Sequence, residues 1–257
     1  MDGIILVNKP QGWTSFDVCN KIRHLTGVKK VGHSGTLDPM ATGVLPVFLG
    51  KATKSIQYFM SGDKGYAGEM VLGVRTDTGD ATGKTLNPKS EILSNLKIQI
   101  SQIQNIFKKY IGEIEQVPPM YSAVKINGQR LYRLARKGIE VKREPRKIRI
   151  YELRFLEPEN ELLGSKNQRN RPDRIGIQSQ VSLIRFYVLC SKGTYVRQLV
   201  MDIGDDLGCG AHLSALERVY SHPFHISQAL DIVTIENLAK IGKLDTVIFT
   251  PEEFITA

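Results

Sequence analysis

Apolar residues near the N-terminus recur at two different spacings. The uninterrupted run Ile4 to Val7 predicts a short strand, which Pro10 and Gly12 end. A helix is predicted next, capped by Ser15 and ended by Gly27. Apolar residues of that segment fall at helical spacing and should line one face: Phe16, Cys19, Ile22 and Leu25.

In the middle of the chain, successive segments have residue patterns that predict different secondary structures. From Lys30 to Gly50, glycines and prolines interrupt the apolar residues, which predicts a shaped loop and turn of the kind that often carries chemistry. Tyr66 to Val74 alternates as a strand does, and Thr76 to Asp80 has the composition of a turn. Ser90 should cap a helix that runs to about Ile111.

Two further strands are predicted at Ile148 to Phe155 and Val181 to Cys190, and the polar segment Asn160 to Gln180 should be an exposed excursion. Thr194 should cap a strong helix, and Val233 to Ala257 should add a helix and a strand. The apolar residues of that strong helix precede Gly208: Val196, Leu199, Val200, Ile203 and Leu207. Because strands and helices do not alternate regularly, we expect an α+β fold with a central, mostly antiparallel mixed sheet flanked by helices.

Charge narrows the choice of partner. Lys and Arg number 35 against 26 Asp and Glu, so the formal charge is +9, which favours a polyanion such as nucleic acid or an anionic membrane. No run approaches the roughly 20 apolar residues that cross a bilayer, and the first ten residues lack the pattern of a signal peptide. Three widely spaced cysteines argue against a disulfide framework, so we expect a cytoplasmic protein.

The segment Gln129 to Arg149, the basic segment, holds most of the surplus charge. Nine Lys or Arg against two Glu give it a net charge of 9 − 2 = +7. Leu131, Tyr132 and Leu134 lie between the arginines, so one face could pack on the core while the cations reach RNA phosphates. A solvated helix face is the alternative. The candidate phosphate contacts are Arg130, Arg133, Arg136, Lys137, Lys142 and Arg143.

The glycine-rich stretch His33 to Gly43 is the most unusual in the chain. Its glycines allow another backbone to approach closely, and Asp38 before Pro39 is either a turn or cap residue or a catalytic carboxylate. The catalytic alternative requires a cation that keeps Asp38 ionised and oriented, and Arg197 could supply it.

Two other patterns carry less weight. Gly79 to Thr85 resembles a phosphate-binding loop, but its first glycine is one residue too close to Gly-Lys-Thr, which argues against nucleotide binding. Cys209, His212, His222 and His225 have the number of ligands of a zinc site. Leu213, Leu216 and Val219 between them have helical spacing and indicate a core helix, so we expect no metal site.

Several motifs occur in one order along the chain, up to about residue 220: Asn8 to Ser15, Gly32 to Pro46, Lys64 to Tyr66, Leu72 to Asp80, Pro118 to Lys125, Gly193 to Arg197 and Gly208 to Leu213. Together they resemble the bacterial tRNA pseudouridine synthase B family, whose enzymes act on uridine 55 in the T-loop. The resemblance implies the pseudouridine synthase fold. It also implies that Asp38 is the nucleophile, that Arg197 pairs with it, and that Tyr66 stacks on the uracil and can accept a proton.

Further residues are implied to contact the flipped nucleotide: Lys9, His33, Tyr195 and Leu216. The implied organisation is a catalytic domain at 1–231 with a basic RNA-gripping insertion at about 124–150. A short extension at 232–257 follows, without a complete RNA-binding domain of the PUA type, so affinity or target choice should differ. Glu217 stands where an arginine is usual. Basic residues of the long polar excursion are hypothesised to add RNA contacts: Lys166, Arg169, Arg171 and Arg174.

Pseudouridine formation rejoins the same uracil to the sugar through carbon, so no cofactor or metal is expected. Asp38 could attack the sugar or the base, or remove a sugar proton to give a glycal, and the sequence leaves these routes open. We expect a monomer that acts on the T-arm of tRNA. The alternative from another class is a non-catalytic RNA-binding or RNA-folding protein that uses the same basic face.

Overall fold

The computed structural model describes residues 1–86, 99–126, 128–156 and 183–255. They form two compact units. The first unit contains residues 1–67 together with 216–255, and the second contains the described residues between 68 and 215. The catalytic domain expected at 1–231 and the extension expected at 232–257 stay predictions.

The strands and α-helices of the described residues follow one another in this order: β1 (Gly3–Lys9), α1 (Ser15–Thr26), β2 (Val31–His33), β3 (Thr42–Leu49), α2 (Ile56–Met60), β4 (Lys64–Leu72), α3 (Ile100–Tyr110), β5 (Gly112–Gln116), β6 (Lys125–Ile126), β7 (Gln129–Arg130), α4 (Leu131–Ala135), β8 (Arg146–Phe155), β9 (Leu183–Cys190), α5 (Val196–Asp206), β10 (Ala211–Ser221), β11 (Phe224–His225), α6 (Ile232–Lys240) and α7 (Glu252–Ile255). Short 3-10 helices lie at Gly50–Ser55, Ile226–Gln228 and Leu244–Val247.

The first unit is built around β3. This strand pairs antiparallel with β1 and with β2, and parallel with the end of β10, where Glu217 lies opposite Thr42 and Arg218 opposite Gly43. The helices α1 and α6 pack against it over an apolar core. Fully or nearly fully buried members of that core come from both strands and helices: Ile5, Val7, Val18, Ile22, Leu45, Val47 and Ile235.

The N-terminus of α1 differs from the prediction. Thr14 caps the helix, because its hydroxyl accepts a hydrogen bond from the backbone N–H of Asp17 and the Asp17 side chain bonds back. Ser15 is the first helical residue instead. Phe16 was predicted on the buried face but is 64% exposed, and Val18 fills the core in its place. Gly27 ends the helix with φ +68°, which confirms its predicted role.

The described residues of the second unit form strands and the helices α3, α4 and α5. Here β8 pairs antiparallel with β5 and with β9, and β6 and β7 form a separate two-stranded hairpin. The helix α3 packs on β8, where Phe107 stacks on Phe155 with ring centroids 4.8 Å apart. The strands predicted at Ile148 to Phe155 and, in its described part, at Val181 to Cys190 are confirmed. Most strand pairs are antiparallel, as expected of the α+β class.

Three predictions in other parts of the chain were wrong. Lys30 to Gly50 is not one loop, since β2 and β3 occupy most of it and only residues 34–41, the Asp38 loop, are irregular. Residues 213 to 219 were interpreted as a helix but belong to β10. Much of β10 is buried, so its apolar residues lack the alternation that distinguishes a strand. Thr194 does not cap α5, because its hydroxyl donates to Ser191 O and Tyr195 occupies the cap position.

Other predictions fall partly or wholly outside the described residues. These include the first part of the helix predicted from Ser90, and the excursion Asn160 to Gln180 with its four basic residues. The described part of that helix begins at Ile100, after Gln99 in extended conformation. The C-terminal segment contributes the predicted helix as α6, but its predicted strand is limited to a single antiparallel bridge between Phe249 and Ile4. Within the described ranges, no helix has the length and hydrophobicity needed to span a bilayer.

Candidate active site

The Asp38 loop is fixed to the N-terminal segment of its own unit. The Leu37 N–H donates to Ser15 Oγ at 2.9 Å, and the Gly12 N–H donates to Pro39 O at 2.8 Å. These bonds flank Asp38 on both sides, and its side chain is partly exposed. The loop therefore presents one carboxylate on a backbone that the start of α1 holds in place.

Lys9, at the end of β1, contacts the Asp38 loop. Its side chain is fully buried. The Nζ donates to three backbone oxygens: those of Pro10 (2.9 Å), Trp13 (2.6 Å) and Pro39 (3.4 Å). Burial lowers the pKa of Lys9 from 10.5 to about 8, and the nearby Asp38 carboxylate opposes this while Arg218 adds to it. Lys9 thus ties the Asp38 loop to β1, whereas the expected contact with the nucleotide stays a prediction.

Arg218, on β10, is another buried cation of the first unit. Its Nε donates to Val44 O at 2.9 Å, its Nη2 donates to Gly35 O at 3.2 Å, and its guanidinium is hydrogen-bonded to the side chain of Tyr66. Tyr66 is itself 9% exposed. Burial lowers the pKa of Arg218, and the Tyr66 phenol opposes that shift. The aromatic residue predicted to stack on uracil is therefore held by a charged partner.

His33 is the last residue of β2, and the charge of Arg218 acts on it. Its Nδ1 accepts a hydrogen bond from the Gly35 N–H at 3.3 Å. Burial, reinforced by the charge of Arg218, lowers the pKa of His33 below its usual 6.5, so the ring is neutral at pH 7. His33 can therefore offer a flat, uncharged surface to a base.

Arg197, in the first turn of α5, belongs to the second unit. Its Nη1 donates to Thr78 O at 2.9 Å and its Nη2 donates to Tyr121 O at 2.7 Å. Asp80 Oδ2 lies 3.7 Å from Nη1, and both side chains of this ion pair are almost fully buried. Asp80 in turn accepts a bond from the Thr82 N–H at 2.9 Å, so the orientation of the guanidinium is fixed from several directions.

Tyr195 precedes α5 in the same unit. Its backbone N–H donates to Gln116 Oε1 at 2.8 Å, and Gln116 Nε2 donates back to Tyr195 O at 3.2 Å. The buried Gln116 amide therefore sets the position at which the tyrosine ring leaves the backbone. Leu216 lies on β10 in the first unit and is partly buried. Its carbonyl accepts a bond from Thr42 Oγ1 at 3.5 Å, and its predicted base contact stays a prediction.

The basic segment is largely solvent-exposed. Leu131 is fully buried, whereas Tyr132 and Leu134, expected on the same packed face, are partly buried. Arg136 lies over the Tyr132 ring with its Cζ 5.6 Å from the centroid, and surrounding arginines lower the pKa of the Tyr132 phenol. The other predicted phosphate contacts divide by exposure. Exposed are Arg130, Arg133, Arg136, Lys137 and Lys142, whereas Arg143 is partly buried and bonds Glu140 at 3.2 Å.

Residues of the segment that resembles a phosphate-binding loop, and of the four residues that resemble a zinc site, form other contacts. Gly79 to Thr85 lies in a turn closed by an antiparallel bridge between Thr76 and Thr85. His212 Nδ1 lies 2.9 Å from Val74 O, and His222 Nδ1 lies 2.8 Å from the Tyr220 hydroxyl. In the part of the chain that the structure describes, no three His, Cys, Asp or Glu residues cluster as metal ligands would.

Comparison with known proteins decides the family. Residues 23–196 match the N-terminal domain of the TruB family pseudouridylate synthases, and residues 197–250 match the tRNA pseudouridylate synthase B C-terminal domain. The chain belongs to the TruB family. It is therefore an enzyme of the isomerase class that forms pseudouridine, and the resemblance of its motifs is confirmed.

Individual TruB relatives cover nearly the whole chain. The tRNA pseudouridine synthase B of Geobacillus thermodenitrificans is 42% identical over 98% of this chain and 78% of its own length. That of Dehalococcoides mccartyi is 44% identical over 98% of this chain and 76% of its own. A chain of the solved Cbf5-Nop10-Gar1 complex is 29% identical with a TM-score of 0.66 over 95% of this chain, which is 56% of that chain. The expected α+β fold class is confirmed.

Two buried charges of the TruB site were missed by reasoning from the sequence. Arg218 and Asp80 stand beside the predicted residues Tyr66 and Arg197, but neither was singled out. Charged residues are usually exposed, so nothing in composition or spacing marks one as buried. The order of motifs could have drawn attention to Asp80, since it closes the segment Leu72 to Asp80. Whether Asp38 pairs with Arg197 stays a prediction.

Proposed function

We propose that this enzyme converts uridine to pseudouridine at position 55 in the T-loop of tRNA, with Asp38 as its nucleophile. The relatives described above carry the name tRNA pseudouridine synthase B. One observation carries the proposal: in a TruB-family chain, the single carboxylate of the Asp38 loop is held by bonds on both sides, in the unit that also contains Tyr66 and His33. A fixed anion with an aromatic residue suits attack on one extruded nucleotide.

The target nucleotide has to leave its stack before its carbon atoms can react, at a cost of a few kcal/mol. Stacking on aromatic rings recovers part of that cost, and Tyr66 is proposed as the stacking partner. The neutral ring of His33 is proposed to support the extruded conformation. Lys9 is proposed to act through the Asp38 loop, because its ammonium group is occupied by three backbone carbonyls.

The reaction exchanges one bond for another within the same nucleotide. The bond between N1 of uracil and C1′ of ribose breaks, and a bond between C5 and C1′ forms. The proton on C5 leaves, and N1 gains a proton, so no atoms are lost overall. Asp38 assists bond cleavage as nucleophile or as base toward the sugar, and Tyr66 is proposed to accept the C5 proton.

Arg197 is proposed to keep the Asp38 carboxylate ionised and oriented. Its own orientation is supported by two carbonyl acceptors and by Asp80. Arg197→Lys keeps the charge but loses the planar fork of donors, so it should slow single-turnover chemistry while RNA affinity stays unchanged. An equal loss of affinity and rate would contradict this role.

The basic segment is proposed to hold the RNA backbone. Its exposed cations can neutralise phosphates, and the Tyr132 ring with Arg136 above it can stack on an unpaired base. Recognition of folded RNA depends mainly on backbone geometry and on exposed loop bases, which fits a T-arm target.

The decisive experiment incubates the protein with unmodified tRNA and maps pseudouridine by chemical probing. Wild type should modify the T-loop uridine, and Asp38→Asn should give no product while still binding the tRNA. Asp245→Asn, the same change at an exposed residue of the first unit, should retain full activity. A tRNA carrying cytidine at position 55 should remain unmodified.

The alternative function makes a different prediction. A non-catalytic RNA-binding or RNA-folding protein would bind and refold tRNA equally well with and without the Asp38→Asn change, and it would leave no pseudouridine. Pseudouridine formed by wild type but not by Asp38→Asn would exclude the non-catalytic function. Cytoplasmic location and a monomeric state are part of the proposal and are checked by cell fractionation and by analytical ultracentrifugation.

A further inference from the structure

Arg218 occupies a cradle that two glycines make possible. A side chain on Gly43, at φ +107°, would place its Cβ 2.3 Å from Arg218 O, so only glycine lets β3 approach β10 this closely. A Cβ on Gly35, at φ +146°, would lie 3.3 Å from the Arg218 Nη1. The backbone is therefore shaped around Arg218, a residue with 1% of its surface exposed.

The partners of this guanidinium are unusual for a buried cation. Two are neutral backbone carbonyls, and the third is the phenol of Tyr66. Among the described residues, no carboxylate lies within ion-pair distance of Arg218. A buried charge without a counter-ion is strongly disfavoured, and a phenol that ionises beside it would supply one.

We propose that Arg218 is a positioning residue for Tyr66: it fixes the phenol and stabilises the phenolate that accepts the C5 proton of the rearranging uracil. This rests on the proposed function. The phenol first releases its proton to solvent. After C5 has joined C1′, the phenolate oxygen takes the proton from C5, the C–H electron pair returns to the ring, and N1 gains a proton from solvent.

Other charged groups of the first unit act on the same region. The charge of Arg218 adds to burial in lowering the pKa of Lys9 on β1 and of His33 on β2. The Asp38 carboxylate raises the pKa of Lys9. Lys64, on the same strand as Tyr66, donates to Gly62 O at 2.6 Å. The neutral state of His33 at pH 7 leaves Lys9, Lys64 and Arg218 as cations. A test must therefore change Arg218 alone and observe Tyr66 directly.

The first measurement needs no substrate. Protein labelled with 3-fluorotyrosine is titrated by fluorine NMR, and the Tyr66 signal is assigned by its loss in Tyr66→Phe. In Arg218→Met the phenol should ionise at least about one pH unit higher than in wild type, a tenfold change in the ionisation constant. Arg218→Lys should shift it less, and Arg23→Met, which changes the other arginine of the first unit, should not shift it.

The second measurement tests the link to chemistry. Arg218→Met should slow single-turnover pseudouridine formation at least about tenfold in the Tyr66 protein, with tRNA affinity unchanged, and should have no effect in a Tyr66→Phe background. An unchanged Tyr66 titration in folded Arg218→Met would overturn the proposal, and so would additive effects in the two backgrounds. If the titration responds but wild type makes no pseudouridine, the proposed function fails and the coupling of Arg218 to Tyr66 stands.

If Arg218→Met does not fold, the proposal is tested by titrating Tyr66 in the wild-type protein. Burial alone raises the pH at which a phenol ionises, and a neighbouring cation lowers it. Tyr66 is nearly buried whereas Tyr58 is 61% exposed. Ionisation of Tyr66 at a lower pH than Tyr58 supports the proposal, and ionisation at a higher pH overturns it.

Discussion

The buried ammonium group of Lys9 makes a prediction about stability and pH. In the folded protein its pKa is about 8, whereas in the unfolded chain it returns to 10.5. Between these values the unfolded chain holds a proton that the folded protein has released, so the free energy of unfolding rises with pH. Below pH 8 the charged amine is present in both states, and its burial opposes folding.

The magnitude follows from the lowering of the pKa. Each pH unit corresponds to about 1.4 kcal/mol, so the change from 10.5 to about 8 corresponds to about 3 kcal/mol. Replacing the amine by an apolar group of similar length removes this dependence. The unfolding free energy of wild type minus that of Lys9→Met should therefore increase by about 3 kcal/mol from neutral pH to about pH 10.5.

Urea unfolding of both proteins at several pH values measures this difference, because other titrating groups affect both equally. The variant also lacks the hydrogen bonds of Lys9 to backbone carbonyls, which contributes to the difference already present at neutral pH; the prediction concerns how that difference changes with pH. Lys51→Met changes an exposed lysine of the same unit and provides the control. A difference between wild type and Lys9→Met that stays constant across the range would refute the reasoning.

Further predictions concern single contacts. Asp80→Asn breaks the buried ion pair with Arg197 and should lower the free energy of unfolding by up to about 3–5 kcal/mol in urea titrations, with Asp245→Asn as control. Thr14→Ala removes the cap of α1 and should cost about 1 kcal/mol, seen as a lower Tm. Joint replacement of Arg133 and Arg136 by Gln should weaken tRNA binding and reduce its salt slope by about 0.7–0.9 for each phosphate that is no longer neutralised.

Residue spacing predicted those elements that have one apolar side or that end at a glycine or proline. The strands β1 and β8 and the buried residues of α5 follow from spacing, because one side of each is apolar or a breaker ends the run. The same method failed for β3 and β10. Almost every residue of β3 is buried, and its Gly43 and Pro46 resemble loop residues. Gly43 serves the close approach of another strand, which only the folded structure reveals.

Motif order predicted the residues of the candidate site but not what holds them. Asp38, Tyr66 and Arg197 were recognisable because the segments around them resemble a family, whereas spacing alone did not distinguish Asp38 from a turn residue. The supporting residues are internal and charged, and they bond mainly to backbone oxygens. A backbone carbonyl is available at every position, so no sequence pattern identifies which carbonyl a buried cation will use.

The distribution of charge in the first unit suits the proposed chemistry. At neutral pH Lys9 and Arg218 are cations and His33 is neutral, so a positive field surrounds Asp38 and Tyr66. Such a field favours a carboxylate and a phenolate, the forms that attack carbon and accept a proton. The carbonyls of Pro39, Val44 and Gly35 stabilise the cations without neutralising them. Replacing these carbonyls by carboxylates would satisfy the cations equally well, but it would cancel the field on which the reaction depends.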